Sequence, residues 1–157
     1  MLRIGKLTDY ALLIMSHMAK QPELVLSATT LACALHLSRP TVSKILKMLS
    51  DTYLVRSVRG VEGGYLLAKS AELITVADII TAMEGELAMT VCCQTVSPCN
   101  LDSICTMREN WRKINNIVYQ LLARFSLLDM LTPIAADNVF PDVLLGIALK
   151  KVPLGVN

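Results

Sequence analysis

The sequence predicts a mainly α-helical protein built as a winged helix-turn-helix, with a small β-hairpin wing and a long C-terminal dimerisation helix. Of the 157 residues, 54% are hydrophobic but only 4% are aromatic, so aliphatic side chains that favour helices fill the core. Capped helices separated by a short turn precede a glycine-tipped hairpin. A regular apolar stripe then runs along the last long helical segment.

The N-terminal third is predicted to form three helices. Apolar residues recur on one face of residues 8–20, and Thr8 is the predicted N-cap. Ser27 is placed to cap a second helix that runs to about residue 35. Ser38 is placed to cap a third helix that runs to about residue 52 and tolerates Pro40 in its first turn.

A hairpin and a short helix follow. Residues 54–59 are strand-like, residues 60–64 contain three glycines and form the turn, and residues 65–67 return. Thr75 is then placed to cap a helix over residues 76–84.

Residues 106–131 are predicted to form the longest helix. Its apolar positions alternate spacings of three and four residues, which is typical of helices that pair along a seam. The alternative is packing against its own domain, but Ile117 and Leu122 widen the apolar face beyond the need of one small domain. We therefore predict a homodimer whose seam contains Trp111, Ile114, Val118, Leu121, Phe125 and Leu128.

Charge is divided unevenly along the chain. Residues 1–70 carry nine Lys or Arg and four Asp or Glu, whereas residues 71–157 carry six bases and nine acids. A basic half joined to an acidic half is typical of nucleic-acid-binding proteins, although a solvated basic face has the same composition. The third helix, placed in the major groove, and the hairpin would contact double-stranded DNA. The predicted contacts are Ser38, Arg39, Thr41, Ser43, Lys44, Lys47, Arg56 and Arg59.

Four of the five cysteines lie in residues 91–105, here called the cysteine segment, between the basic half and the longest helix. They are Cys92, Cys93, Cys99 and Cys105. Thiolates bind iron–sulfur clusters, zinc and Cu(I). The close C-x2-4-C pair of structural zinc sites is absent, so a cluster is favoured, with zinc and thiol redox chemistry as alternatives.

Two further expectations concern individual cysteines. Neighbouring side chains diverge in extended backbone, so only one of Cys92 and Cys93 is expected to bind a metal. Cys33, on the second helix, is expected to be a small buried hydrophobe.

Other functional classes find little support. Neither a signal peptide nor a membrane-spanning stretch is visible, so we expect a cytoplasmic protein with reduced thiols and no membrane partner. His17 and His36 are the only imidazoles and lie far from the cysteines in sequence, and no glycine-rich phosphate loop or paired-carboxylate motif stands out. We therefore expect neither enzymatic activity nor a small-molecule substrate.

The chain divides into three predicted parts. Residues 1–70 form the DNA-binding winged helix-turn-helix domain, and residues 71–131 contain the metal-binding loop and the dimerisation helix. Residues 132–157 form an extension of unknown role.

Several stretches resemble the IscR-type winged-helix regulators of bacteria. They are Leu7-Thr8-Asp9-Tyr10-Ala11, residues 37–47, the run Arg59-Gly60-Val61-Glu62-Gly63-Gly64-Tyr65-Leu66-Leu67 and the cysteine segment. Residues 110–115 are most similar to the subgroup that regulates the SUF iron–sulfur assembly operon. The likeness spans residues 1–131. It implies a homodimeric transcription regulator that senses iron–sulfur cluster status and represses cluster-assembly genes from a palindromic operator. A cluster-free thiol-redox or zinc-responsive regulator on the same scaffold is the alternative.

The resemblance also implies a ligand set but leaves part of it open. Its SUF subgroup favours Cys92 as a ligand, whereas its NsrR-like members favour Cys93; Cys99 and Cys105 are shared by both. IscR-like members use a His three residues after the last cysteine, where this chain has Arg108, which cannot bind metal.

The fourth ligand follows from the NsrR-like members, which take an Asp at the start of the first helix from the other subunit. Asp9 matches that place, although an acid there would also stabilise the helix dipole, and Glu109 is a further option. The implied cofactor is a 2Fe-2S or a 4Fe-4S cluster.

Overall fold

The computed structural model describes residues 4–60, 62–96, 99–100 and 104–133, and in these ranges the chain is mainly helical with one small hairpin. This confirms the predicted winged-helix fold class. The elements are α1 (Lys6–Ala19), α2 (Ala28–Leu35), α3 (Arg39–Asp51), β1 (Val55–Val58), β2 (Gly64–Leu67), α4 (Val76–Glu84) and α5 (Arg108–Arg124). Short 3-10 turns occur at Ala71–Leu73, Val91–Cys93 and Asp129–Leu131.

Hydroxyl side chains begin α2, α3 and α4, as the sequence predicts. The Oγ atoms of Ser27 and Ser38 each accept a hydrogen bond from the backbone N–H three residues on, at 3.0 and 3.3 Å. Thr75 and Asp78 form a reciprocal capping box at the start of α4. Each such cap stabilises its helix by about 1 kcal/mol, so these boundaries are set locally.

The start of α1 differs from the prediction. The helix begins at Lys6 with Gly5 as its N-cap, and Thr8 is fully buried inside the first turn. The Thr8 hydroxyl donates to the carboxylate of Glu84, and Gly5 N donates to the same carboxylate at 3.0 Å. An acceptor distant in sequence therefore caps α1, which makes the prediction of a Thr8 cap wrong.

The core lies between α1, α3 and α4. Ile14, Ile45 and Ile79, one from each helix, are fully buried. Burial of one such side chain contributes about 1.5–3 kcal/mol, so this three-helix contact holds the N-terminal half together.

The wing is attached to the core through its second strand. β1 and β2 pair antiparallel, with Val55 opposite Leu67. Leu26 N donates to Tyr65 O at 3.0 Å, and Tyr65 N donates to Leu26 O at 2.9 Å. A carbon at the Cβ position of Gly64 would collide with the Leu26 carbonyl, so the strand can approach this closely only with glycine there.

α5 is shorter than predicted, since it ends at Arg124 rather than near residue 131. Phe125 is extended, with φ −90° and ψ 119°, and its carbonyl accepts from the first N–H of α4 at 2.8 Å. Leu127 N donates to Ile74 O at 2.7 Å, and the Leu127 side chain is fully buried. This pairing outweighs continuation of the helix, so Phe125 and Leu128 lie outside the helical stripe to which their spacing assigned them.

The predicted extension covers residues 132–157, and all of it after residue 133 lies outside the described residues. The domain boundaries at 70 and 131 stay predictions. None of the helices in the described ranges is long and apolar enough to cross a bilayer.

Candidate DNA-binding surface and cysteine segment

α3 separates a buried apolar face from an exposed polar face. Its four fully buried side chains are Val42, Ile45, Leu46 and Leu49. The predicted DNA contacts Ser38, Arg39, Ser43, Lys44 and Lys47 are all exposed, and Thr41 is partly exposed. The Ser38 hydroxyl, which caps the helix, lies 2.7 Å from the Thr41 hydroxyl. The helix therefore presents cations and hydroxyls to solvent along one side.

The wing adds two exposed arginines. Arg56 lies on β1, and Arg59 precedes the turn at Gly60, whose φ of 130° favours glycine. Within the described ranges, no carboxylate forms a salt bridge with these arginines or with the cations of α3. Such unneutralised positive charge suits contact with phosphate groups.

Cys92 and Cys93 lie side by side in a 3-10 turn. Thr90 Oγ1 lies 3.1 Å from Cys92 Sγ and 3.2 Å from Cys93 Sγ. The expected divergence of these side chains assumes an extended backbone, whereas Cys92 and Cys93 belong to a 3-10 turn, and the expectation that only one of them binds a metal stays a prediction. Cys92 is buried, whereas Cys93 is partly exposed. The geometry leaves both thiols available as candidate ligands.

The other cysteines differ in their surroundings. Cys99 and Cys105 are partly exposed. Cys33 is exposed, which contradicts the expected burial, because α2 buries Leu31 and Ala32 while residue 33 points outward.

An iron–sulfur cluster fits the chemistry of the cysteine segment but not its present arrangement. Thiolates are the usual ligands of such clusters. Across the part of the chain that the structure describes, however, no three Cys, His, Asp or Glu side chains converge on one point. Asp9 is exposed in the first turn of α1. The thiols of the cysteine segment would therefore have to approach one another to hold a cluster.

Two side chains of α5 bind the backbone on either side of Thr90. Asn115 accepts from Met89 N at 2.9 Å through Oδ1 and donates to Leu87 O at 3.0 Å through Nδ2. Arg112 Nε donates to Cys92 O at 3.3 Å. Both residues lie in the stretch 110–115 that carries the resemblance to the SUF subgroup, but their contacts with the cysteine segment were not predicted from the sequence.

A carboxylate holds the middle of the cysteine segment. Glu86 accepts from Thr95 Oγ1 at 2.6 Å and from Thr95 N at 2.9 Å. The Thr95 hydroxyl, and then its backbone N–H, lower the pKa of Glu86. Cys93 opens beside this contact onto a cleft of about 690 Å³, which Asn116 and Tyr119 of α5 also line.

The apolar stripe of α5 is uncovered in the single chain. None of the 17 residues of α5 is buried. Ile114 and Ile117 are 42% and 43% exposed, and Trp111, Val118 and Leu121 are partly exposed. A helix with this much exposed apolar surface is suited to pairing with a further helix.

Comparison with known proteins gives one family throughout the described region. The family model Rrf2, described as an iron-dependent transcriptional regulator, matches residues 4–133. Protein rrf2 of Nitratidesulfovibrio vulgaris is 31% identical over 134 residues, which cover 82% of this chain and 87% of that protein.

Two solved structures share the fold at similar identity. CymR, the global cysteine regulator of Bacillus subtilis, is 30% identical with a TM-score of 0.66, covering 83% of this chain and 97% of that chain. IscR from T. potens is 28% identical with a TM-score of 0.63, covering 83% and 86% of the respective chains.

Proposed function

The chain belongs to the Rrf2 family of DNA-binding transcriptional regulators, and we propose that it is a homodimeric repressor whose affinity for its operator depends on an iron–sulfur cluster in the cysteine segment. The family membership confirms the resemblance to IscR-type winged-helix regulators. One observation carries the proposal: four thiols lie in the only covalent connection between the DNA-binding half and α5, and α5 is hydrogen-bonded to that connection. We assign the protein no enzymatic activity.

The DNA-binding half supports recognition of a palindromic operator. The exposed face of α3 enters the major groove, where Arg39, Ser43 and Lys44 reach base edges or phosphates. Arg59 at the wing contacts the neighbouring backbone. Because a homodimer presents two copies of α3, their separation must match the spacing of two operator half-sites.

The cysteine segment supports sensing. Cys99, Cys105 and one of Cys92 and Cys93 would hold the cluster, and the exposed carboxylate of Asp9 is accessible as a ligand for a partner subunit. A bound cluster would supply an inorganic centre that responds to oxidants and iron supply. The iron dependence attributed to the family supports this assignment, and genes of cluster assembly are the proposed targets.

The test compares cluster-loaded and cluster-free protein purified without oxygen. Wild-type protein is expected to bind iron and sulfide, to show visible absorption, and to change its operator affinity by about tenfold or more on loading. The Cys99→Ser/Cys105→Ser variant is expected to lose both properties. Cys33→Ser is the matched control, since it removes an exposed thiol from α2. Colourless wild-type protein, or a double variant that still responds, would contradict the proposal.

A cluster-free regulator is the second candidate. It is favoured by the absence of three converging ligands in the described ranges and by the closeness of both Cys92 and Cys93 to one hydroxyl. Metal analysis of the same preparation separates the candidates. One zinc per chain, or operator binding that depends on thiol oxidation in iron-free protein, would favour this one.

A further inference from the structure

We infer that Asn115 is the positioning residue that couples the cysteine segment to the dimer interface. The inference rests on the proposed function and adds the route by which the state of the thiols reaches the paired helices. Asn115 binds no metal and no DNA in this assignment. It holds the backbone next to the cysteines in a fixed place relative to α5.

The Asn115 amide contacts the backbone of residues 87–89 through both its oxygen and its nitrogen. Its amide oxygen accepts from Met89 N at 2.9 Å, and its amide nitrogen donates to Leu87 O at 3.0 Å. Both ends of the partly buried side chain are thereby used, which fixes its orientation. Loss of these partners would leave a partly buried amide and two backbone groups unsatisfied, so α5 and residues 87–89 resist separation.

Only a few residues separate the sulfur atoms of Cys92 and Cys93 from α5 along this contact. Met89 precedes Thr90, whose hydroxyl touches the sulfur atoms of both Cys92 and Cys93. Asn115 directly follows Ile114, which belongs to the predicted seam, so no residue separates this contact from the seam. Gathering the thiols around a metal displaces the turn that carries them, and the displacement reaches Ile114 through one side chain.

Arg112 is a weaker link than Asn115. Its bond to Cys92 O is longer, at 3.3 Å, and its side chain is 43% exposed. A guanidinium nitrogen also lies 3.8 Å from the exposed carboxylate of Glu109, a contact that water competes with. The two partly buried hydrogen bonds of Asn115 therefore fix the position of the cysteine segment relative to α5.

The experiment measures coupling rather than binding alone. Asn115→Ala is expected to load the same amount of iron and to remain dimeric, but its loaded and cluster-free forms should bind the operator equally, within about twofold. Asn116→Ala is the matched control, because it removes an exposed amide from the neighbouring position of α5 and should retain the full wild-type ratio.

The outcomes separate this inference from the function on which it rests. A wild-type protein without any affinity change on loading overturns both. A wild-type change that Asn115→Ala retains overturns the inference alone.

A measurement on unaltered protein covers the case in which Asn115→Ala does not fold. Hydrogen–deuterium exchange of the wild-type dimer is expected to change on loading in residues 85–93 and in α5 together. A change confined to residues 85–93, with α5 exchanging as before, overturns the inference.

Discussion

His36 illustrates how a single residue departs from local preference. It ends α2 in the left-handed region, with φ 53° and ψ 37°, where a Cβ atom costs about 1–2 kcal/mol. Its side chain is exposed, so packing offsets little of this cost. The backbone of the turn between α2 and α3 is therefore strained, because a residue with a Cβ atom occupies a conformation that favours glycine.

We expect His36→Gly to stabilise the protein by about 0.5–1 kcal/mol, since relief of this strain exceeds the entropic cost of glycine in the unfolded chain. Chemical denaturation measures the free energy of unfolding. His36→Ala also removes the imidazole but keeps Cβ, and it should show no gain. Equal effects of the two substitutions would show that the imidazole, not the backbone, is responsible.

Lys44 allows the proposed DNA surface to be tested at one charge. If it contacts a phosphate in each half-site, Lys44→Ala removes two contacts per dimer and lowers the slope of log affinity against log salt by about two. Titration of operator binding at several salt concentrations gives this slope. Lys113→Ala removes the same charge from α5 and should leave the slope unchanged. An unchanged slope for Lys44→Ala would remove this residue from the interface.

At the scale of elements, the carboxylate of Glu84 joins the end of α4 to the start of α1. Glu84→Ala leaves the fully buried Thr8 hydroxyl and Gly5 N without this acceptor, so we expect a loss of about 1–3 kcal/mol in unfolding free energy. Thr8→Val should lower the free energy of unfolding by less, because the Glu84 carboxylate still accepts the hydrogen bond from Gly5 N and remains hydrated.

Thermal or chemical unfolding of both variants ranks these costs. Glu72→Ala, which removes an exposed carboxylate from the 3-10 turn before α4, is the control and should stay within about 0.5 kcal/mol of wild type. If Glu84→Ala behaves like this control, the contact does not stabilise the fold.

Element starts could be predicted from the sequence where the cause is local. Ser27, Ser38 and Thr75 begin helices because each hydroxyl accepts a bond from a backbone N–H three residues away. The two boundaries that were predicted wrongly have distant causes: the Glu84 carboxylate caps α1, and pairing of Phe125 and Leu127 with the backbone of residues 74–76 ends α5. Neither partner lies close in sequence to the boundary that it sets.

The candidate sites show the same division. Residue type identified the thiols and the cations of α3, and alternation of apolar and polar positions placed those cations on the exposed face. The role of Asn115 could not be predicted, since its partners are backbone groups of an irregular connection. The position of Cys92 and Cys93 beside the Thr90 hydroxyl likewise depends on a 3-10 turn that no residue pattern predicted.

At the scale of the whole molecule, the uncovered stripe of α5 predicts the assembly. Ile114→Asp places a charge in the proposed seam, and in a two-fold interface each substitution acts twice. We expect the dissociation constant of the dimer to rise by at least about 30-fold, corresponding to ~2 kcal/mol for one buried interface residue. Operator affinity should fall with it.

Analytical ultracentrifugation across a concentration series measures this shift. Asn116→Asp introduces the same charge on the side of α5 that faces the cleft, and it should leave the dimer intact. Dissociation by both substitutions would point to general disruption of α5 instead of a specific seam.

The short strand-like return after α5 has a mechanical consequence. Backbone bonds from Phe125 and Leu127 pin the C-terminal end of α5 to the start of α4, and the buried Leu127 side chain secures that point. Seventeen residues at 1.5 Å each give α5 a length of about 25 Å. Any tilt must pivot at the pinned end, so a rotation of about 5° sweeps the far tip through about 2 Å. The largest displacement therefore occurs at the N-terminal end of α5, which adjoins the thiols of the cysteine segment.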